Sequence, residues 1–430
     1  MMNNSGDNIL NNDDFSSCKQ DLKLELEVLN IEEPKVKAPL LLELGLTELF
    51  RKNYDKAIKH IEEAQKLFLE IQDINKIAMC LAELGIIHYK KNNDRLIRSL
   101  TLLNDAKYLI ANKESKNDVE SKIFHYYGII NYSEKRYSEA LRYYKNAQKL
   151  VSPDHLESAC ILDSLAIFYM RVNNNQIALQ CLNESLKIKK IINNTREIAI
   201  TEILFGRYLS GIENYEDAVK YLKEALLISE THCDYFTVAR LLDEMAKIYV
   251  NLEDYSFAEK LCAKSLKIAK AIDSELIYAF SSCTYADIKI QQGETSEISS
   301  LIENEIEPIF ISNSSVRGLA LVKRVKANLA EKLEEYTEAI EYIHESAGLF
   351  SEIGVNSEVA KCYFSLGNIY KKNIDIPMAS SSLLEALRIA KICELSILTK
   401  KIEDNLFEID QNQWVNVINK IAKKEDIFIE

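Results

Sequence analysis

Three short stretches carry residue types at spacings that chemistry uses. Gly206-Arg207-Tyr208-Leu209-Ser210-Gly211 has the glycine spacing of a phosphate loop, which needs free backbone N–H groups and a lysine. Ile212 stands where that lysine belongs, and the surrounding pattern places the stretch in a helix. His344-Glu345 begins a zinc-protease pattern, but Gly348 occupies the position of the second imidazole, and two imidazoles one turn apart are required to hold the metal. His232 and Cys233 are adjacent, a spacing that points two ligands to different faces of a helix, so they read as an interhelix turn with a half-buried thiol. His60, His88, His125 and His155 are isolated. The acidic run Glu303–Glu307 reads as a solvated helix face rather than a general acid/base pair. No catalysis, metal site or cofactor is predicted.

The rest of the composition narrows the class. Of 430 residues, 47% are hydrophobic, too many for a disordered chain, while only 11 glycines and 5 prolines argue against sandwiches, barrels and loop-rich enzymes. A mostly helical chain follows. Its 66 acidic and 53 basic residues leave a formal charge of -13, a poor match for phosphate backbones, so nucleic-acid binding is not expected. Nine scattered cysteines, none in a Cys-x-x-Cys, fit free thiols in a reducing compartment. The first 17 residues lack the basic and apolar regions of a signal peptide, and no stretch reaches the roughly 18 apolar residues of a membrane span. A cytoplasmic protein with no membrane partner is expected.

The strongest signal is repetition. A small residue recurs at Gly45, Gly85, Gly128, Ala166, Gly206, Ala246, Ala286, Ala327 and Gly367, at intervals of 38 to 43 residues. Twelve residues later comes an alanine in seven of these nine units (Ala57, Ala140, Ala178, Ala218, Ala258, Ala339, Ala379), and seven after that another small residue, such as Ala64, Ala147, Ser185, Ser265, Ser346 or Ala386. Tyr54, Tyr137, Tyr215, Tyr255 and Tyr336 each stand three before the alanine. Apolar residues between these marks recur at three and four, the helix period. The second unit keeps Ser99 and Ala106 only with two residues inserted in its turn, and the 285–305 unit is degenerate, with Ile298 and Glu305 at the small positions. Small residues facing each other let two antiparallel helices approach closely, so each unit reads as a helical hairpin that turns near 52–55, 134–137, 212–215 or 252–255. A single hairpin cannot bury its outer face, and neighbours must stack.

Leu-Gly, a downstream Tyr, then Ala and Ala at this spacing resemble the tetratricopeptide repeat family, over roughly residues 38 to 393. The unit departs from that family's usual 34 residues and lacks its closing proline except near Pro153, and so resembles the extended repeats of kinesin light chains, spindle-orientation adaptors and bacterial peptide-responsive regulators and sensors. The resemblance implies an all-α, right-handed α-solenoid of about nine hairpins. Around it, residues 1–16 are expected to be disordered and 17–37 to form a lead-in, with a helix at Cys18–Asn30 and a break at Pro34/Pro39. Residues 394–430 are expected to form a helical cap from Glu394–Ile409 and Gln411–Lys424, with the only tryptophan, Trp414. The 21 residues after Ile409 leave no room for the cyclase or kinase domain that related arrays often precede. The roughly 38 before the repeats are too few for the N-terminal effector domain of the bacterial receptors.

The resemblance also implies that the first helix of each hairpin lines a groove, with the residue after the small position exposed there. That position reads Leu46, Ile86, Ile129 and Ile167, then Arg207, Lys247, Asp287, Asn328 and Asn368. Asp243 and Arg324 lie three before the small residue, and Arg240 and Lys361 six before it. A ladder of Arg, Lys and Asn can hold an extended peptide, since Asn bonds backbone groups in both directions and cations take carboxylates. Arg324 and Asn328 resemble half of the family's carboxylate clamp, although Phe364 and Ser365 stand where the rest would be. The competing reading is a face that is polar because water fills it. The apolar four, with Leu49, Tyr89, Tyr132 and Met170 one turn on, form either a stripe for an amphipathic partner helix or a seam buried between neighbouring helices. The expected function is a non-catalytic scaffold or adaptor for a protein or peptide. The alternatives are a peptide-responsive regulator or a regulatory subunit of a separately encoded enzyme.

Overall fold

The computed structural model of the protein describes residues 31–91, 96–111 and 117–409. Every regular element among them is helical. First and second helices alternate as α1 (Pro34–Phe50) and α2 (Tyr54–Glu70), α3 (Ile74–Lys91) and α4 (Leu96–Ile110), α5 (Asn117–Ser133) and α6 (Tyr137–Gln148), α7 (Leu156–Arg171) and α8 (Asn175–Ile192), and α9 (Thr195–Gly211) and α10 (Tyr215–Thr231). They continue as α11 (Tyr235–Asn251) and α12 (Tyr255–Ala271), then α13 (Glu275–Gln292) with an interrupted partner made of α14 (Ile298–Leu301), a π-helical turn (Ile302–Ile306) and α15 (Glu307–Ser312). After them come α16 (Val316–Lys332) and α17 (Tyr336–Glu352), α18 (Asn356–Lys372) and α19 (Ile376–Ile392), and last α20 (Ser396–Ile409). The chain divides into two compact units. Among the described residues the N-terminal unit takes 31–205 and 221–238, and the C-terminal unit takes 206–220 and 239–409.

The small residues do what their spacing implies. A Cβ added at Gly128 would lie 2.4 Å from the Tyr144 ring of the partner helix, and one at Gly45 would lie 2.4 Å from Ile61 and 3.3 Å from the Ala57 carbonyl. Ala57, Ala140, Ala178, Ala218, Ala258, Ala339 and Ala379 are all fully buried. Where the second small position is serine, its hydroxyl spans the two helices: Ser185 donates to the Ala159 carbonyl (2.9 Å), Ser265 to Ala239 (2.7 Å) and Ser346 to Ala320 (2.8 Å). In the third hairpin the roles are exchanged, with Ser121 donating to the Ala147 carbonyl at 2.9 Å. These bonds satisfy a buried hydroxyl with a carbonyl that already serves its own helix, so they add a crosslink without leaving a polar group unpaired.

The two irregular units have physical explanations. Ser99 faces Gly85 as the two-residue insertion requires, and its hydroxyl donates to the Gly85 carbonyl at 2.7 Å. In the degenerate unit, Ile298, Ile302, Ile306 and Phe310 are all buried although they are spaced by four. A regular α-helix at 3.6 residues per turn would rotate such a row off the core, and the π-helical turn holds it in place. Ile306, not Glu305, therefore takes the core position, and Glu305 accepts a hydrogen bond from the Tyr278 hydroxyl at 2.7 Å. Phe310 fits because the next first helix offers Gly318, where a Cβ would stand 2.1 Å from the ring.

Three expectations are corrected. Pro34 opens α1 and Pro39 lies inside it, so there is no break, and the first hairpin begins at Pro34 rather than 38. The seven cysteines Cys80, Cys160, Cys181, Cys262, Cys283, Cys362 and Cys393 are free, but Cys233 is disulfide-bonded. Ile86 is fully buried and does not line an open groove. The expected disordered start (1–16), the helix at Cys18–Asn30 and the helix at Gln411–Lys424 with Trp414 lie outside the described residues.

Each unit carries polar contacts between segments far apart in sequence. In the N-terminal unit Arg51 Nε donates to the His232 carbonyl (3.0 Å), the His232 ring sits edge-on to Phe50, and Arg196 pairs with Glu43 at 3.1 Å. In the C-terminal unit the buried Glu213 carboxylate accepts the backbone N–H groups of Ile397 (2.7 Å) and Leu398 (3.0 Å). Those amides open α20 and have no acceptor within their own helix, and the helix dipole favours the negative charge.

Turns between helices carry a residue in the left-handed region. Gly293 and Gly354 fill it without strain, whereas Ile374, at φ 64° and 83% exposed, is a β-branched residue there. Ile374→Gly is expected to stabilise the protein by about 1 kcal/mol, partly offset by the greater freedom of glycine in the unfolded chain. An unchanged or lowered denaturant midpoint would contradict this. Gly128→Val places a branched side chain against the Tyr144 ring and should destabilise by about 1–3 kcal/mol, measured as a lower thermal midpoint.

Candidate binding site

The first helices of the C-terminal unit present the same registers again and again, because the repeat length returns each side chain to the same face. Lys247 from α11, Asp287 from α13, Arg324 and Asn328 from α16, and Lys361 from α18 line a single cavity of about 240 Å³. Thr284, Arg317, Glu358, Ser365 and Asn251 complete its polar wall, and Val250, Cys283, Leu321, Val325 and Phe350 its apolar part. Five of the eight polar candidates are thus brought together. Arg207 and Arg240 instead converge on Glu244: Arg207 grips it with Nε at 3.0 Å and Nη2 at 2.6 Å, and Arg240 stands 3.8 Å away. Asn368 is half-buried on α18 and stands outside the cavity wall.

The charges are tied to neighbours on the same helix or one repeat away. Lys247 pairs with Asp243 at 2.5 Å, whose other oxygen accepts from Thr284 at 2.6 Å, and Asn328 donates to Asp287 at 2.8 Å. Glu358 serves both Arg324 and Lys361, the latter at 2.9 Å. Burial by itself would raise the Glu358 carboxyl, but Lys361 and Arg324 override it and hold the group far below the usual carboxylate range. At Glu244 burial is likewise overridden by Arg207, and the carboxyl falls to about 2. Every wall cation except Arg317 is held in an ion pair. Among the described residues Arg317 makes no hydrogen bond or ion pair, and it is exposed.

Of the two readings of the apolar four in the N-terminal unit, the seam between helices fits better, with Ile86 fully buried. Leu46 and Ile129 are half-buried against their cores and only Ile167, at 37%, is exposed. Its helices carry a buried polar network instead. Lys122 pairs with Glu83 (2.7 Å), which also accepts from the Tyr126 hydroxyl (2.8 Å). The fully buried Lys189 ammonium is surrounded by Asp163 (2.6 Å), Glu197 (3.0 Å) and Thr201 (3.0 Å). His125 joins Glu157 through Nδ1 (2.6 Å) and Ser164 through Nε2 (2.7 Å), the order of an orienting acid, a base and a nucleophile. Ser164 sits in the middle of α7, where backbone amides are consumed by the helix, so that helix offers no oxyanion donors beside it. The network can orient charge, and it lacks the backbone cradle that acyl transfer uses.

Sequence reasoning missed this network because it read only the residue after the small position in the first four hairpins. Lys122 stands six before the small residue, and His125 and Asp163 three before it, the same offsets that picked out Arg240, Lys361, Asp243 and Arg324.

No protein-family model and no curated protein matches the chain. Solved structures do. A Rap protein complexed with Competence and Sporulation Factor aligns at 16% identity over 79% of this chain and 99% of its own, with a TM-score of 0.52. Aspartyl phosphate phosphatase F from Bacillus subtilis aligns at 13% identity over 81% and 95%, with a TM-score of 0.55. The apo form of the quorum sensor NprR from B. thuringiensis aligns at 16% identity over 80% and 98%, with a TM-score of 0.51. The fold is a tetratricopeptide-like helical-repeat solenoid. At these identities the likeness speaks to fold. No helix among the described residues is long and apolar enough to cross a membrane.

One buried carboxyl makes stability depend on pH near neutrality. Burial, with Glu224 facing it, pushes Glu202 up to about 7, and Lys190 at 3.9 Å only partly opposes this. A carboxyl whose pKa is raised on folding favours its protonated form, so its contribution declines as pH climbs from the ordinary carboxylate range toward 7. Glu202→Gln should therefore be more stable than wild type at pH 8 and lose most of that advantage at pH 5. Equal differences in denaturant midpoint at the two pH values would contradict the assignment.

Proposed function

We propose that the protein is a non-catalytic interaction module that binds a peptide, or an extended segment of a partner protein, along the first helices of its C-terminal unit. The observation that carries this reading is the cavity in which side chains from four successive first helices converge: Lys247, Asp287, Arg324 with Asn328, and Lys361. Asn328 and Thr284 can exchange their present acceptors for peptide backbone groups, and the cations can take carboxylates. The interaction is proposed to take place in the cytoplasm. A second reading, a regulator that changes conformation on binding a short peptide, is supported by two observations. The structural neighbours include a Rap protein solved with Competence and Sporulation Factor and a quorum sensor. Each unit of this chain also carries a long-range contact, Arg51 with His232 and Glu213 with α20, that a conformational change could make or break.

Peptide display on the full chain, with co-purifying proteins identified by mass spectrometry, tests both readings. Ligands recovered on the wild type should bind Lys247→Glu/Asn328→Ala at least about tenfold more weakly while the variant's thermal midpoint is little changed. Ligands retained in full by that variant would remove the cavity as the site. Small-angle scattering on adding the selected peptide separates the two readings, since compaction belongs to the regulator and an unchanged radius of gyration to the scaffold.

A further inference from the structure

One turn of the N-terminal unit gathers several contacts within two residues. Between α10 and α11 the His232 carbonyl accepts from Arg51 Nε at 3.0 Å, and the His232 ring stands edge-on to Phe50, so the turn meets the end of α1. The Nε2 atom of that ring also lies 2.8 Å from the Thr195 hydroxyl, which ties in the start of α9. The next residue, Cys233, is half-buried, takes the left-handed turn position at φ 55°, and is disulfide-bonded. Of the nine cysteines in the sequence, seven are free thiols. Cys18, outside the described residues, is the one cysteine of the chain left to pair with it.

The seven free thiols are poor competitors for this bond. Six are buried and Cys160 is half-buried. Burial pushes Cys80 and Cys283 up to about 12 and Cys181 and Cys393 up to about 11, and it raises the other three as well. Thiolate, the form that exchanges with disulfides, is therefore scarce at all seven near neutral pH. Chain length permits the pairing. Residues 19–33 separate Cys18 from α1 and can extend over about 50 Å, whereas the 17 residues of α1 rise only about 25 Å. It is the far end of α1 that touches the turn.

We propose that Cys18 and Cys233 form a redox-sensitive crosslink on this junction, made by exchange with a low-molecular-weight disulfide and broken by a dithiol. In its formation one protein thiolate attacks the small disulfide, giving a mixed disulfide and releasing one thiol. The second protein thiolate attacks the protein sulfur of that mixed disulfide and releases the other thiol. Two electrons pass to the oxidant, and both protons leave with the released thiols. In the cytoplasm proposed above, glutathione keeps such pairs reduced, so the crosslink forms only when the poise turns oxidising. Once formed, it ties the chain ahead of α1 to the turn that α1 touches at its other end. When it is broken, the junction is left to its non-covalent contacts. This inference does not depend on the peptide-binding reading.

The test uses the full chain, equilibrated with oxidised or with reduced glutathione, then unfolded, alkylated and digested. In the oxidised sample mass spectrometry should find one linked peptide pair, holding Cys18 and Cys233, with the other seven cysteines alkylated. A different pairing, a disulfide-linked dimer or no crosslink overturns the proposal. Hydrogen exchange on the folded chain then reads the junction. The amides of residues 50–53 and 232–234 should exchange at least about tenfold more slowly in the oxidised chain than in the reduced one. Cys18→Ser should remove that difference while keeping the thermal midpoint of the reduced wild type, which checks its fold. A crosslink that forms without slowing the exchange, or a slowing that survives Cys18→Ser, also overturns the proposal.

Discussion

Everything in this molecule depends on how closely two helix backbones can approach within each hairpin. At Gly45 the partner's Ala57 carbonyl lies 3.3 Å from where a Cβ would be, and at Gly367 the Ala379 carbonyl stands at the same distance. Such contacts remove the bulk that would otherwise hold helices at the wide end of the 8–10 Å range. The close approach fixes the rotation of each helix about its axis, and that rotation decides which side chains face the neighbouring first helices. Dispersion at short range is lost steeply with small gaps, so tolerance at these positions is narrow. The exceptions keep the principle: where the second helix brings bulk, as at Phe310, glycine moves to the facing helix at Gly318.

Once rotation is fixed, a repeat of about 40 residues lays chemically similar side chains in rows. Polar partners are then neighbours one repeat apart, as in Arg207–Glu244, Asn328–Asp287, Thr284–Asp243, Lys122–Glu83 and Thr201–Asp163. Such pairs are partly or fully desolvated, so removing one member leaves a buried group unmatched, and their net worth to folding is smaller than that loss. They crosslink successive hairpins and also bring charge to the surface that a ligand would meet. In the N-terminal unit the pairing is nearly closed, with Lys189 wholly buried among three partners. In the C-terminal unit it is left open around Arg317.

The fold was legible because its signal is one of size and spacing. Gly and Ala at fixed intervals report backbone proximity directly, and even the shifted Ser99 and the displaced turn at Ile302–Ile306 left marks in the spacing. The cavity wall was half legible, since register alone picked out Lys247, Asp287, Arg324, Asn328 and Lys361, which line it. Arg317 and Glu358 were not, because they sit in or near the first turn of their helices, nine or ten residues before the small position, where register drifts most. Ile86 was left open between two readings for a related reason. An apolar residue beside a small one satisfies an exposed stripe and an interhelix seam equally well, and only packing decides between them.

The two long-range contacts follow from the same repetition. Arg51 reaches His232 after 181 residues and Glu213 reaches Ile397 after 184, in each case about four and a half units. Near-equal separations in two units with unrelated side chains at the junction point to the regular repeat length rather than to particular residues. The residues at each junction then only have to be compatible with it. Glu213 meets this by filling a need the fold creates, since the opening amides of α20 would otherwise lack acceptors and carry the positive end of the helix dipole. Glu213 takes the left-handed turn position, at φ 64°, that recurs between the helices of this fold, and from there its carboxylate reaches those amides.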